Sequence, residues 1–367
     1  MDLREKLGNM KAKGYYLLYS GINVDSPDGI EKKILSQKKL FEGIGIEMKF
    51  VELHRKSGSF WNDVQELTDA DFVYFRKSTI IDWRFVKFFR RLKKNGNPII
   101  FMEIPTYPYE GELGSGWRVK LRMFVDNFYR KRLCGLIDRI VVTGFDVGAT
   151  LWGIPAINIV NGIDLASVKI RQRCNHEGVV LGCIAKFSPW HGYERLIKGL
   201  AEYYKTVSEK NVKILMVGEG PEKDAYVNLV NELGIGEYVV FTGRLTGSAL
   251  DKIYEIIDLG ICSLGRYKSG IEVIGDLKSR EFMAKGIPMI CGCQIDVLQG
   301  GDYPFAYFVP NDDSKINIKE LLDFYYRIYD GTKNTEIMIR DVAERLIDFT
   351  VTYSKVVETA KELIWAK

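Results

Sequence analysis

Two short stretches put charged side chains where loops leave apolar runs, and the chemistry they allow is the binding of phosphate and of vicinal hydroxyls. In "KFSPWHGYERLI" (186–197), Lys186 follows the apolar run "GVVLGCIA", and His191 stands just before the amphipathic segment "YERLIKGL". A cation at a strand end and an imidazole at a helix start can bracket a phosphate, because the N–H groups and dipole of a helix amino terminus favour anions. A solvated lysine and a turn histidine would leave the same local pattern. In "GDLKSREFMAKGIPMI", Glu281 is expected to open a short helix that stops at Gly286, with Pro288 leading into a strand. A carboxylate there can accept two hydroxyl hydrogen bonds, as a ribose or sugar diol offers, or can cap the helix and interact with its dipole.

Three further loops carry weaker signals. "MVGEGPEKD" places Gly218 and Gly220 after a strand, but the third glycine of a dinucleotide fingerprint would fall on Lys223. No G-x-x-x-x-G-K-[ST] phosphate loop and no G-x-S-x-G elbow occurs either. In "SGINVDSPDGIEKKILSQKKLF", Gly29 follows Pro27 and Asp28 and would let the backbone approach a ligand, or simply serve a strand-to-helix turn. "MEIPTYPYEGE" gathers Glu103, Thr106, Tyr107, Tyr109 and Glu110 in a proline-stiffened loop, a density of hydroxyls, rings and carboxylates suited to sugar recognition.

The elements that must position these residues alternate along the chain. "GYYLLYS", "EMKFVEL", "DFVYFRK", "PIIFMEI" and "RIVVTGF" are β-branched or aromatic runs separated by helical-period segments. A second series, "GVVLGCIAKF", "VKILMVGEG", "YVVFTGRL", "LGICSLG", "IPMICGC" and "YFVP", repeats the pattern. Two such series predict an α/β protein with two Rossmann-like domains, in which ligands sit beyond the carboxyl ends of the strands. The join is expected near "PAINIVNGID", giving domains over 1–160 and 161–345. The helical-period tail 346–367 is expected to pack back on the first domain.

Composition bounds the partners. A formal charge of +4 over 367 residues is too small for a nucleic-acid-binding domain. Three histidines (His54, His176, His191) and six scattered cysteines have no metal-ligand or disulfide-framework spacing, so neither a metal nor a cofactor is expected, and the setting is a reducing cytoplasm. No apolar run approaches the ~20 residues that span a bilayer, and the charged opening "MDLREKLGNMKAKG" does not resemble a leader. Two stretches nevertheless combine aromatic and basic residues: "WRFVKFFRRLKKN" (83–95) has six cations and no acid, and "RVKLRMFVDNFYRKR" (118–132) has six against Asp126. Such helices suit peripheral contact with anionic lipid at the inner face of the cell membrane, and equally suit sheet packing with snorkelling cations.

In this order and spacing, "NGID", "AKFSPWHGYERLI", "MVGEGPEK", "YVVFTGRL", "IYEIIDLGICSL" and "LKSREFMAKGIPMI" resemble the retaining glycosyltransferases of family 4. The resemblance implies the GT-B fold, with two facing Rossmann-like domains, a cleft between them and a carboxyl-terminal helix crossing back. It implies that the first domain binds the acceptor and the second a nucleotide sugar, with a uridine nucleotide expected. By the same resemblance, Lys186 and His191 hold the donor diphosphate, and Glu281 binds the ribose hydroxyls. Donor-side positions also fall on Gly29, Gly218, Arg244, Leu245, Asp276, Leu277 and Lys278; acceptor-side positions fall on Glu103, Thr106, Tyr107 and Tyr109. The sequence departs from the family in three places. His191 replaces the commoner lysine, as in members with a Trp-His-Gly segment. Val273 stands where the first of two paired glutamates is usual, with Glu272 one place earlier, and "EIPTYPYEGE" lacks a histidine many members carry. The implied activity is metal-independent, retaining hexosyl transfer to a polysaccharide, glycolipid or lipid-linked oligosaccharide. The departures leave a non-catalytic partner subunit, or a sugar-nucleotide epimerase on the same fold, as alternatives.

Overall fold

The computed structural model describes residues 11–19, 29–53, 67–77, 80–109, 116–144, 146–331 and 334–366. The chain forms two compact units, Met1–Asp164 with Phe349–Lys367, and Leu165–Asp348.

The first unit is built on strands β1 (Ala12–Tyr19), β2 (Ile46–Leu53), β3 (Phe72–Arg76), β4 (Ile99–Ile104), β5 (Arg139–Thr143), β6 (Thr150–Leu151) and β7 (Ile154–Ile159), in the order β2-β1-β3-β4-β5-β7-β6. All neighbours are parallel except β6 and β7. Every residue of "FVYFR" and "IIFMEI" is buried, as strands of a parallel sheet covered on both faces require. The stretch expected at the domain join is therefore partly strand: "IPAINI" is β7, and the first unit runs on to Asp164.

Helices α1 (Gly29–Glu42), α2 (Trp83–Asn95) and α3 (Trp117–Arg130) belong to the same unit. The two basic stretches, alike in sequence, differ in structure. Helix α2 starts at Asp82, whose carboxylate accepts the Arg84 N–H at 2.9 Å, and turns Phe85, Val86, Phe88, Phe89 and Leu92 into the core. Its cations Arg84, Lys87, Arg90, Arg91 and Lys94 face solvent, so 83–95 is a sheet-packed helix with a charged outer face. Helix α3 does the reverse. Trp117, Leu121, Phe124 and Phe128, spaced four, three and four residues apart along one face, are 70%, 56%, 68% and 47% exposed. Its one acid, Asp126, is wholly buried, accepting the Ile81 N–H at 2.7 Å and the Tyr109 hydroxyl. No described helix is long and apolar enough to cross a membrane.

The second unit carries β8 (Val179–Ile184), α4 (Glu194–Tyr203), β9 (Val212–Val217), α5 (Lys223–Glu232), β10 (Val239–Gly243), α6 (Gly247–Ile256), β11 (Leu259–Ile261), β12 (Val273–Ile274), α7 (Leu277–Lys285), β13 (Met289–Cys291), β14 (Gln294–Ile295), β15 (Ala306–Phe308), α8 (Ile318–Gly331) and α9 (Thr335–Leu346). Its main sheet is fully parallel in the order β10-β9-β8-β11-β13-β15. Counting only the strands of this sheet in chain order, this is 3-2-1-4-5-6, the doubly wound Rossmann arrangement. All six runs of the second series are its strands. β12 and β14 pair separately.

After α9 the chain supplies α10 (Phe349–Thr352) and α11 (Ser354–Trp365) to the first unit. Phe349, Tyr353, Val356, Ala360 and Ile364 join a core with Phe41, Phe72, Tyr74 and Phe101.

Candidate functional site

In a 3-2-1-4-5-6 sheet the direction of winding reverses between the first and fourth strands, here β8 and β11, and the loops leaving them diverge to open a crevice. The loop after β8 is "AKFSPWHG". Lys186 is exposed at its start, followed by buried Phe187, a short 3-10 turn Pro189–His191, and α4. Glycines fix this loop from the side of β9. Gly218 and Gly220 have φ of 140° and 155°, and a Cβ on them would stand 1.8 Å from the Ala185 carbonyl oxygen and 2.2 Å from that of Phe187. The weak fingerprint thus serves close packing of two loops, with the Phe187 N–H donating to the Glu219 carbonyl at 2.8 Å.

His191 is 7% exposed, and its Nδ1 accepts the Ser188 N–H at 3.1 Å. That bond requires a lone pair on Nδ1, which leaves Nε2 as the protonated, donating nitrogen. Burial, then the charges of Lys278 and Arg266, push the ring's pKa down to about 2. The fold thus holds His191 as a neutral imidazole. The ring stacks on Tyr193, centroids 5.4 Å apart. Lys278 Nζ donates to the Tyr193 hydroxyl at 2.8 Å, and burial holds this ammonium below the ordinary lysine range.

Glu281 does not open its helix. The amino-terminal cap is Asp276, whose carboxylate accepts the Ser279 N–H at 3.0 Å, and Glu281 lies a full turn further on. An aspartate with extended backbone is the stronger cap, which removes capping as the role of Glu281. Glu281 is half-buried and accepts the Tyr254 hydroxyl at 2.8 Å. Leu277 is 38% exposed at the start of α7, and Val273, at the usual place of the first glutamate, is 42% exposed on β12. Arg244 is exposed and Leu245 half-buried in the loop after β10. Among the described residues no group of three or more His, Cys, Asp or Glu is placed to hold a metal ion.

In the first unit, Gly29 is the first residue of α1, while Pro27, Asp28 and Glu110 lie outside the described residues. Glu103 and Tyr109, expected to face an acceptor, point inward instead. Glu103 is wholly buried. Its carboxylate accepts from Arg76, from Gln37 at 3.0 Å and from the Tyr74 and Tyr353 hydroxyls at 3.2 and 3.4 Å, with Lys33 Nζ 3.4 Å away. Although burial opposes it, the charges of Arg76 and Lys33 hold its pKa down to about 2. Tyr109 gives its hydroxyl to Asp126 and its ring face to Lys77, 3.4 Å from the centroid. Of this loop's candidates, Thr106 is exposed and Tyr107 half-buried.

Sequence reasoning did not single out Arg266, which follows β11 and lies over the Trp190 ring at 5.6 Å. The signal for it is the strand order. Once β11 is known to lie beside β8, the loop "SLGRYKSG" becomes the other wall of the crevice.

Residues 169–294 match the family described as Glycosyl transferases group 1, a span that includes Lys186, His191, Gly218, Arg244 and Glu281. A stretch of 129 residues is 27% identical to the GDP-mannose-dependent alpha-(1-6)-phosphatidylinositol monomannoside mannosyltransferase of Mycolicibacterium smegmatis, covering 35% of this chain and 33% of the relative. The match thus spans about a third of that relative's length. Among solved structures, the sucrose-phosphate synthase of Thermosynechococcus elongatus superposes with a TM-score of 0.62 at 13% identity, over 97% of this chain and 100% of that one. HepE of Anabaena, solved in complex with UDP, superposes with a TM-score of 0.60 at 15% identity, over 95% and 99%. Residues 169–294 therefore carry a glycosyl transferases group 1 domain, on a chain whose two Rossmann-like units have the GT-B fold.

Proposed function

We propose that the chain is a retaining glycosyltransferase of family 4, in its Trp-His-Gly variant, moving a hexosyl group from a nucleotide sugar to a glycan or glycolipid acceptor. The observation that carries the reading is the switch point of the second unit, where exposed Lys186, a neutral His191 donating through Nε2 and the amino terminus of α4 leave one loop. Glu281 on α7 suits the ribose diol. In the reaction, the bond from the anomeric carbon to the phosphate oxygen breaks with its electron pair passing to phosphate. The acceptor oxygen bonds the same face of the sugar, and its proton goes to the departing phosphate oxygen. The protein's part is to stabilise the departing charge, and one well-placed donor of this kind is worth ~3–4 kcal/mol. Because these side chains supply the charge, no metal or cofactor belongs to the proposal.

A uridine nucleotide is the donor expected from the sequence; the mycobacterial relative's name specifies GDP-mannose, and HepE was solved with UDP. Titration calorimetry with UDP, GDP, ADP and dTDP decides between them, repeated on Lys186→Ala and Glu281→Ala. Selective binding of one nucleotide, lost in both variants that still fold, supports the assignment. Failure of all four to bind would favour the non-catalytic partner subunit, and isomerisation of a donor without any acceptor would favour an epimerase.

The acceptor side is proposed to work at a membrane. The open face of α3, with exposed Arg118, Lys120 and Arg122 on the helix and Lys131 and Arg132 just beyond it, is the part of the two basic stretches that supports peripheral contact with an anionic, cytoplasmic leaflet.

A further inference from the structure

The switch-point crevice has two walls, and the proposed donor contacts use mainly the loop after β8. The loop after β11 is bolted to it. The Leu264 N–H donates to the His191 carbonyl at 2.8 Å and the Gly265 N–H to that of Trp190 at 3.2 Å. Gly192 packs so closely on this second loop that a Cβ there would stand 2.5 Å from the Gly265 nitrogen. The next residue, Arg266, is thereby held beside Trp190 and His191. Its guanidinium lies over the indole, and its Nε is shielded from solvent with no hydrogen-bond partner. Among the described residues no carboxylate forms an ion pair with it; Asp276 acts on it only through its longer-range charge. Burying a guanidinium nitrogen without a partner is costly unless a ligand completes it, and the planar fork fits a two-oxygen anion.

Resting on the donor-site reading above, we propose that Arg266 is an oxyanion-binding residue of the donor site, its fork receiving two oxygens of one anionic group. That group is the sugar-side phosphate of the donor or a carboxylate on the transferred sugar.

The test compares wild-type protein with Arg266→Gln and Arg266→Lys in titration calorimetry against UDP, GDP, UMP, GMP, UDP-glucose and UDP-glucuronate, with thermal melting of each variant. Loss of a charge-assisted contact of this type corresponds to about a tenfold to hundredfold weakening. If phosphate is the source, Arg266→Gln loses that factor on the preferred diphosphate and leaves the monophosphate unchanged. If carboxylate is the source, the diphosphates bind as before and UDP-glucuronate alone weakens. Arg266→Lys, which keeps the charge without the fork, should fall between wild type and Arg266→Gln in either case. Unchanged binding of all six ligands by Arg266→Gln overturns the assignment while leaving the donor site standing. Equal weakening of every ligand with a lowered melting temperature marks a packing role and also overturns it. Should Arg266→Gln not fold, wild-type behaviour of Arg266→Lys overturns it too. Absence of any nucleotide binding by the wild-type protein overturns the donor-site reading and this assignment together.

Discussion

Replacing Leu121 and Phe124 with serine on the open face of α3 should release the protein from anionic membranes without disturbing its fold. These side chains are 56% and 68% exposed, so their apolar surface is available to a bilayer and contributes little to the core. Burying a whole leucine or phenylalanine side chain is worth ~1.5–3 kcal/mol, so the exposed shares together correspond to about 2–4 kcal/mol, or roughly 30-fold to 800-fold in partitioning. Partial insertion at the headgroup boundary places the expected loss at the lower end of that range. Arg118, Lys120, Arg122, Lys131 and Arg132 remain in the variant, each adding ~1 kcal/mol at an anionic surface. Residual binding should therefore persist at low salt and vanish at high salt, as screening requires. The assay is co-flotation with phosphatidylcholine vesicles, with and without phosphatidylglycerol, at two salt concentrations, alongside thermal melting. Equal flotation of variant and wild type, or equal wild-type binding to neutral and anionic vesicles, would refute the reasoning. Replacing exposed Arg84, Lys87 and Arg90 of α2 with serine should have the smaller effect, because that helix has its apolar side in the core and no open apolar face to hold it on a bilayer.

The buried charges of the first unit make a second prediction. Glu103→Gln leaves Arg76 and Lys33 buried beside a neutral amide, a loss of about 3–5 kcal/mol expected for breaking a buried pair, to be read by urea unfolding. Because the folded carboxyl's pKa is down to about 2 from 4.5, its stabilisation is complete above about pH 4.5 and is lost as pH falls towards 2. The variant should lack that part of the acid limb, and identical acid unfolding in both proteins would sink the assignment. His191, held near 2 against 6.5 when unfolded, should stay neutral at pH 5 in nitrogen NMR of the ring. Its contribution to stability is present above about pH 6.5 and declines as pH falls below that value. A ring that titrates near pH 6 in the free protein would contradict the burial argument.

The two sheets were legible because their strands are short, apolar and flanked by turn residues, and a parallel sheet covered on both faces needs such runs. The β7 strand was less clear, since "IPAINI" sits among the punctuation that marks a boundary and mixes buried isoleucines with an exposed proline and half-buried Ala156 and Asn158. The junction that carries Lys186 and His191 was legible because an apolar strand, a proline turn and an amphipathic helix follow one another directly in the chain. Glu103 and Tyr109 were misleading for a physical reason. The same polar, aromatic composition that suits sugar binding also suits a buried network, and only their partners Arg76, Lys33, Gln37 and Asp126, from 17 to 70 residues away, decide between the two. Glu281 was misplaced on its helix because an aspartate five residues earlier outcompeted it as the cap.

The sequence by itself determined the α/β class, the two strand series and the loop that carries Lys186 and His191, because periodicity and turn chemistry are local properties. Tertiary structure alone decided which loops adjoin. Placing β11 beside β8 brings Arg266 to Trp190 and His191, and burial with a single Ser188 N–H sets the imidazole neutral. It also separated two basic helices that composition could not distinguish, since which face of a helix is open depends on what the sheet already covers.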